Sequence, residues 1–123
     1  MEIAIGSCYI LAVPSFMHPP AEALELHHVL SALADPTRLQ IVRELHRAGN
    51  GLNCMNAAAP FCRVPKSTLS GHFRVLRESG IVTTTKRGVE NINVLRYDDL
   101  EARFPGLLPT ILGFVPAPEP VTV

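Results

Sequence analysis

The sequence is short of cysteine, of long apolar runs and of any catalytic signature. Each shortage narrows what the protein can be. Its cysteines are Cys8, Cys54 and Cys62, an odd number with no CxxC pair. That argues against a secreted disulfide framework and fits a reducing cytoplasm. No apolar stretch reaches the roughly 20 residues that a helix needs to cross a bilayer. The nearest approach, residues 3–16 (IAIGSCYILAVPSF), has no positive flank, since Glu2 is the only early charge, and no small-x-small cleavage site. Its "IGSC" has the look of a lipoprotein cleavage box, but no hydrophobic stretch precedes it. The simpler reading is an extension upstream of a start at Met17, with no membrane partner. A glycine-rich phosphate loop, an HExxH and a nucleophile elbow are all missing, and the serines and histidines show no triad-like spacing. An enzyme is therefore not expected.

The charge that is present is unevenly placed. The formal net charge of the 123 residues is zero, which alone does not suggest a nucleic-acid partner. From residue 60 to 96, however, Arg63, Lys66, Arg74, Arg77, Lys86, Arg87 and Arg96 face only Glu78 and Glu90, a net +5. The neutral total hides a basic lobe on an acidic body, the asymmetry to look for in a nucleic-acid binder. The length fits one small domain, and the 47% of apolar residues supply a modest core.

Periodicity sets the order of elements. Residues 1–20 read as an irregular extension. Residues 21–34 read as a helix with Leu26, Val29, Leu30 and Leu33 in a stripe. In "ADPTR", Asp35 suits the N-cap and Pro36 the first position of a second helix over 36–48, ended by Gly49 or Gly51. Residues 52–58 suggest a short third helix and "APFCRVP" a turn. A fourth helix spans 66–79 and stops at Gly80, with Leu69, Phe73 and Leu76 on its apolar side. Residues 81–96 alternate like a hairpin, with Lys86, Arg87 and Gly88 at or near its tip and Ile92, Val94 and Arg96 on the return strand. Residues 98–113 read as a helix broken by Pro105, Gly106 and Pro109, and residues 114–123 as a proline-rich, disordered tail. The expected fold is a mainly α winged helix-turn-helix of order α-α-α-α-β-β-α, with one DNA-binding domain over 21–113.

The polar side of the fourth helix suits the major groove. Ser67, Thr68 and Ser70 are short donors and acceptors near its N-terminus, where free N–H groups also favour phosphate. Lys66, Arg74 and Arg77 reach phosphate or guanine, and His72 donates to either. Gly71 costs the helix about 1 kcal/mol relative to alanine, but it lets backbone approach DNA closely. Arg77 has the alternatives of pairing with Glu78 or favouring the helix dipole. Lys86 and Arg87 on the hairpin are placed for flanking phosphates or the minor groove. Arg38 divides between phosphate contact and a capping or ion-pair role. The contrasting reading is a protein-interaction module without DNA function, whose basic face meets an acidic protein.

With these residues in view, the sequence resembles the ArsR family of bacterial winged-helix repressors over about residues 21–113. The carrying segments are "LSALADPTRLQIVREL" (30–45), "STLSGHFRVLRESGIV" (67–82) and "TTTKRGVENINVLR" (83–96). The resemblance implies a cytoplasmic homodimeric repressor, with the first and last helices at the interface. It also implies an imperfect palindrome of double-stranded DNA as operator, released on binding a metal or metalloid ion or on thiol oxidation. The departures are Gly71, where a larger polar or basic residue is common, Phe73 in place of leucine, and a return strand without an aromatic until Tyr97.

No cofactor is certain from the sequence, and a soft metal or metalloid ion is the candidate. One family pattern has closely spaced cysteines on the third helix. Here that region offers only Cys54 and, eight residues on, Cys62, an incomplete soft-ion site unless Cys8, a histidine or the other subunit adds a ligand. Cys54 has three readings: a buried core residue, half of a redox disulfide, or a thiolate ligand. Another pattern uses Asp and His on the last helix for zinc. Asp98, Asp99 and Glu101 are present, but no histidine lies beyond His72, so that site is not expected. His27 and His28 are adjacent and would point in different directions, which favours interface or surface roles.

Overall fold

The computed structural model describes residues 18–49, 52–53 and 64–116. All three cysteines, Arg63, most of the expected third helix and the tail beyond Pro116 lie outside the described residues. The elements are α1 (Leu26–Leu33), α2 (Pro36–Ala48), β1 (Leu52–Asn53), α3 (Lys66–Glu78), β2 (Val82–Arg87), β3 (Glu90–Leu95), α4 (Tyr97–Arg103) and α5 (Leu107–Leu112). A single 3-10 turn, Ala21–Ala23, precedes α1.

The helix expected over 21–34 is thus split, and Leu24 explains why. Its backbone is extended (φ −68°, ψ 129°), its side chain is buried, and its carbonyl accepts from Arg103 Nε at 3.0 Å. A continuous helix would use that carbonyl within the helix. The stripe on α1 is also only half buried. Val29, Ala32 and Leu33 enter the core, while Leu26 and Leu30 stay 46% and 44% exposed.

α2 begins as its sequence predicts. The Asp35 carboxylate accepts from the N–H groups of Thr37 (2.9 Å) and Arg38 (3.0 Å), with Pro36 at the first position. Its inner face, Ile41, Val42 and Leu45, packs in one cluster with Leu69, Phe73 and Leu76 of α3. α3 ends in a Schellman arrangement: Ile81 N–H donates to the Leu76 carbonyl (2.9 Å) and Gly80 N–H to that of Arg77 (3.0 Å). Gly80 takes φ +86°, and a methyl there would lie 1.9 Å from Leu24 Cδ2. Glycine is required here for both conformation and space.

The wing is antiparallel, with Arg87 opposite Glu90 around Gly88 and Val89. β1 adds to the outer side of β3, Leu52 opposite Asn93, so the sheet order is β1-β3-β2. Leu52 and Asn53 are therefore strand, where a short helix was expected to start. The alternation on β3 also differs from expectation. Asn93 is fully buried and accepts from Thr84 Oγ1 at 2.7 Å, while Val94 is 37% exposed. Thr84 and Asn93 face each other in register, so each supplies the other's polar partner in the core. Of the breaks expected at Pro105, Gly106 and Pro109, the first two separate α4 from α5, whereas Pro109 lies within the first turn of α5, where its missing N–H costs little.

Candidate nucleic-acid interface

α3 is anchored by three buried side chains and open on the other side. Leu69, Phe73 and Leu76 are the anchors. Lys66, Ser67, Thr68, Ser70, Gly71 and Arg74 are all exposed. Pro65 at the N-cap brings no side-chain oxygen, so no cap residue masks the first-turn N–H groups. Nothing lies within 4 Å of a methyl built at Gly71. Internal packing therefore does not require glycine at this position, which leaves a flat stretch of backbone on the open face.

His72 departs from that face. Its side chain is only 15% exposed, its Nδ1 lies 3.1 Å from Arg38 Nη1, and its Nε2 lies 3.9 Å from Asp35 Oδ2. Since guanidinium only donates, Nδ1 is the acceptor and Nε2 carries the proton that faces Asp35. Arg38 is held in turn by the Ala32 carbonyl, which accepts from its Nε. The start of α2 thus grips the middle of α3. In the sequence, Asp35 stands out as a cap alone. The pairing was invisible because 34 residues separate Arg38 from His72.

The remaining basic residues divide. Arg74 is exposed and pairs with Glu78 across one turn (3.1 Å), the partner considered above for Arg77. Arg77 is half-buried toward His18, on which its charge acts. Lys86 and Arg87 are exposed beside Gly88 (φ +64°), and Val89 at the turn is 98% exposed. Arg96 belongs to the scaffold. It donates to the Pro19 carbonyl (2.6 Å) and to Asp99 (3.0 Å), and only 9% of its side chain is exposed. That contact ties the arm at 18–20 to the base of the wing. His18 Nε2 accepts from Thr84 N–H at 2.9 Å on the free edge of β2. Burial, and then the Arg96 and Arg77 charges, push the His18 pKa below the usual imidazole value, which favours the neutral acceptor form.

An open, basic helix gripped by a capped helix and followed by a basic wing has clear counterparts. A model of a helix-turn-helix domain matches residues 33–85. Over 83 residues the chain is 36% identical to the uncharacterized HTH-type transcriptional regulator YceK of Bacillus subtilis (strain 168), covering 68% of this chain and 82% of that protein. Over 60 residues it is 45% identical to the putative arsenical resistance operon repressor ArsR of Halobacterium salinarum, covering 49% of this chain and 46% of that one. A crystal structure of an ArsR family transcriptional regulator superposes with a TM-score of 0.58 at 26% identity, covering 76% of this chain and 92% of that one. The chain belongs to the ArsR/SmtB family of winged helix-turn-helix transcriptional regulators. The regulator is accordingly a DNA-binding protein and not an enzyme. Among its described residues no helix is long and apolar enough to cross a membrane.

Proposed function

We propose that the regulator is a homodimeric repressor of an imperfect palindrome, released by a metal, metalloid or thiol-oxidation signal. Each subunit presents residues 66–77 to a major groove and Lys86 and Arg87 to the DNA beside it. The observation that carries this reading is the exposed face of α3, with Lys66, Ser67, Thr68, Ser70 and Arg74 around the unobstructed backbone of Gly71. Those groups offer donors to phosphate and base edges without rearrangement of the core. His72 acts there as a positioning residue, through Arg38 and Asp35. Dimerisation is supported by the apolar side chains left open on and after the first and last helices: Leu26, Leu30 and Phe114, the last 85% exposed. Cys54 and Cys62 are the residues assigned to the signal, in keeping with the arsenical-resistance relative.

The test is a gel shift on DNA upstream of the protein's own gene, at several salt concentrations, with arsenite, zinc and peroxide, on wild type and Cys54→Ser. Binding should weaken steeply with salt and with Arg74→Ala. Salt-insensitive binding that survives Arg74→Ala would sink the proposal. No shift at all would point to an acidic protein partner instead. Release by peroxide alone, lost in Cys54→Ser, identifies a thiol switch, and indifference to all three agents removes the signal from the proposal.

A further inference from the structure

The start of α1 gathers three side chains that the DNA-binding role does not use. Glu25 is the N-cap, with extended backbone (φ −116°, ψ 135°), and its side chain makes no capping hydrogen bond. Glu25 Oε1 lies 3.3 Å from His27 Nε2 and 3.9 Å from His28 Nδ1. The two imidazole centroids are 4.2 Å apart, and one ligand atom from each of the three residues lies within 4.8 Å of the others. Adjacent residues on a helix ordinarily diverge, which is the expectation from sequence for His27 and His28. Here a single carboxylate oxygen lies near one ring nitrogen of each imidazole and gives them a common focus.

We propose that Glu25, His27 and His28 form a binding site for a borderline divalent cation of the zinc type, with water completing the coordination. The donor set decides the class. Two imidazoles and a carboxylate suit zinc and its first-row neighbours, whereas arsenite and other soft species prefer thiolates. Tetrahedral zinc with bonds of about 2.0–2.2 Å separates its donors by roughly 3.3–3.6 Å. The separations of 3.3 and 3.9 Å approach that spacing, and the exposed side chains need little movement to reach it. The positive end of the helix dipole opposes a cation here, and the Glu25 charge offsets it. His28 also lines a shallow groove of about 300 Å³ with Ser31, Val75, Glu78 and Ser79, so a bound ion sits beside the C-terminal end of α3. The proposal rests on neither the operator nor the cysteine reading.

The test uses the full chain carrying C8S, C54S and C62S, so that no thiol competes. Calorimetric titration with zinc chloride should give one ion per chain. The affinity should fall more than tenfold in each of His27→Ala, His28→Ala and Glu25→Gln, with His46→Ala unchanged and circular dichroism confirming each fold. No binding, or an affinity in His27→Ala and His28→Ala equal to that of the thiol-free parent, overturns the proposal. If the thiol-free chain fails to fold, imidazole ¹⁵N spectra of the wild type decide. Zinc must shift the His27 and His28 resonances, and unmoved resonances overturn the site.

Discussion

α2 and α3 have the same length, 13 residues, and opposite designs. α2 is the more closed of the two. Its first N–H groups are capped by Asp35, its buried Glu44 is paired with Arg43 (3.4 Å) and Arg47 (3.1 Å), and it holds no glycine. α3 has no capping side chain, carries Gly71 in its interior, and leaves most of its polar groups in solvent. Local stability is concentrated in the helix that supports and withheld from the helix proposed to meet DNA. The link between them is His72, whose Nδ1 accepts from Arg38 of α2 while its Nε2 lies 3.9 Å from the capping Asp35. A recognition surface can be locally weak when a neighbouring element fixes its position.

The ends of the two helices offer the sharpest test. Both are followed by a glycine at positive φ, Gly49 (+75°) and Gly80 (+86°). Around Gly49 a methyl meets nothing within 4 Å, while at Gly80 it collides with Leu24. Gly49→Ala should cost only the left-handed backbone penalty, about 1–2 kcal/mol. Gly80→Ala adds an overpacking cost of about 1–3 kcal/mol. Urea denaturation of the two variants should rank Gly80→Ala as clearly worse, and equal losses would show that Leu24 yields freely.

Asp35 separates capping from positioning. Asp35→Ala should destabilise by about 1–2 kcal/mol, since two backbone donors lose their acceptor. Asp35→Ser should restore most of that, because a hydroxyl also caps, yet it removes the carboxylate facing His72. Operator affinity measured alongside denaturation should therefore remain reduced in Asp35→Ser. Full recovery of both quantities would mean that the grip on His72 does not matter for DNA.

How much of this was legible in the sequence depends on how far apart the partners lie. The Asp35 cap, Pro36, the Leu69, Phe73 and Leu76 anchors and the stop at Gly80 are local patterns, and all stand in the structure. The inward turn of His72, the Thr84 and Asn93 pair, and the arm carrying His18 are contacts across the fold. No periodicity encodes them. The wing shows the difference within a few residues. Its β propensity was readable, but Asn93 inside and Val94 outside reverse what hydropathy suggests, because Thr84 satisfies the amide. Leu26 and Leu30 belong to a readable stripe, and only the packed chain shows that the core does not cover them.

Gly71 tests the withheld stability directly. With no neighbour within 4 Å of the added methyl, Gly71→Ala should stabilise the protein by about 1 kcal/mol. The same methyl stands where DNA backbone would approach, so operator binding should weaken. A variant more stable and equally tight on DNA would make the glycine incidental.

The smallest effect concerns the ion pair on the open face. Arg74 and Glu78 are both largely exposed, so their 3.1 Å contact lies in high-dielectric surroundings. Glu78→Gln should change stability by less than about 0.5 kcal/mol. Its consequence for DNA is of another kind. Glu78 lies on the same helix as the proposed contact surface, and it pairs with the Arg74 guanidinium one turn away. Its neutralisation removes a charge that repels phosphate and frees Arg74 to reach outward, so operator affinity should rise while its salt dependence steepens. The matching change on α2 behaves in the opposite way. Glu44→Gln leaves Arg43 and Arg47 without their buried partner, and should destabilise the fold without a gain on DNA. If the two substitutions gave similar stability losses, the contrast between a closed supporting helix and an open helix proposed for DNA would fail.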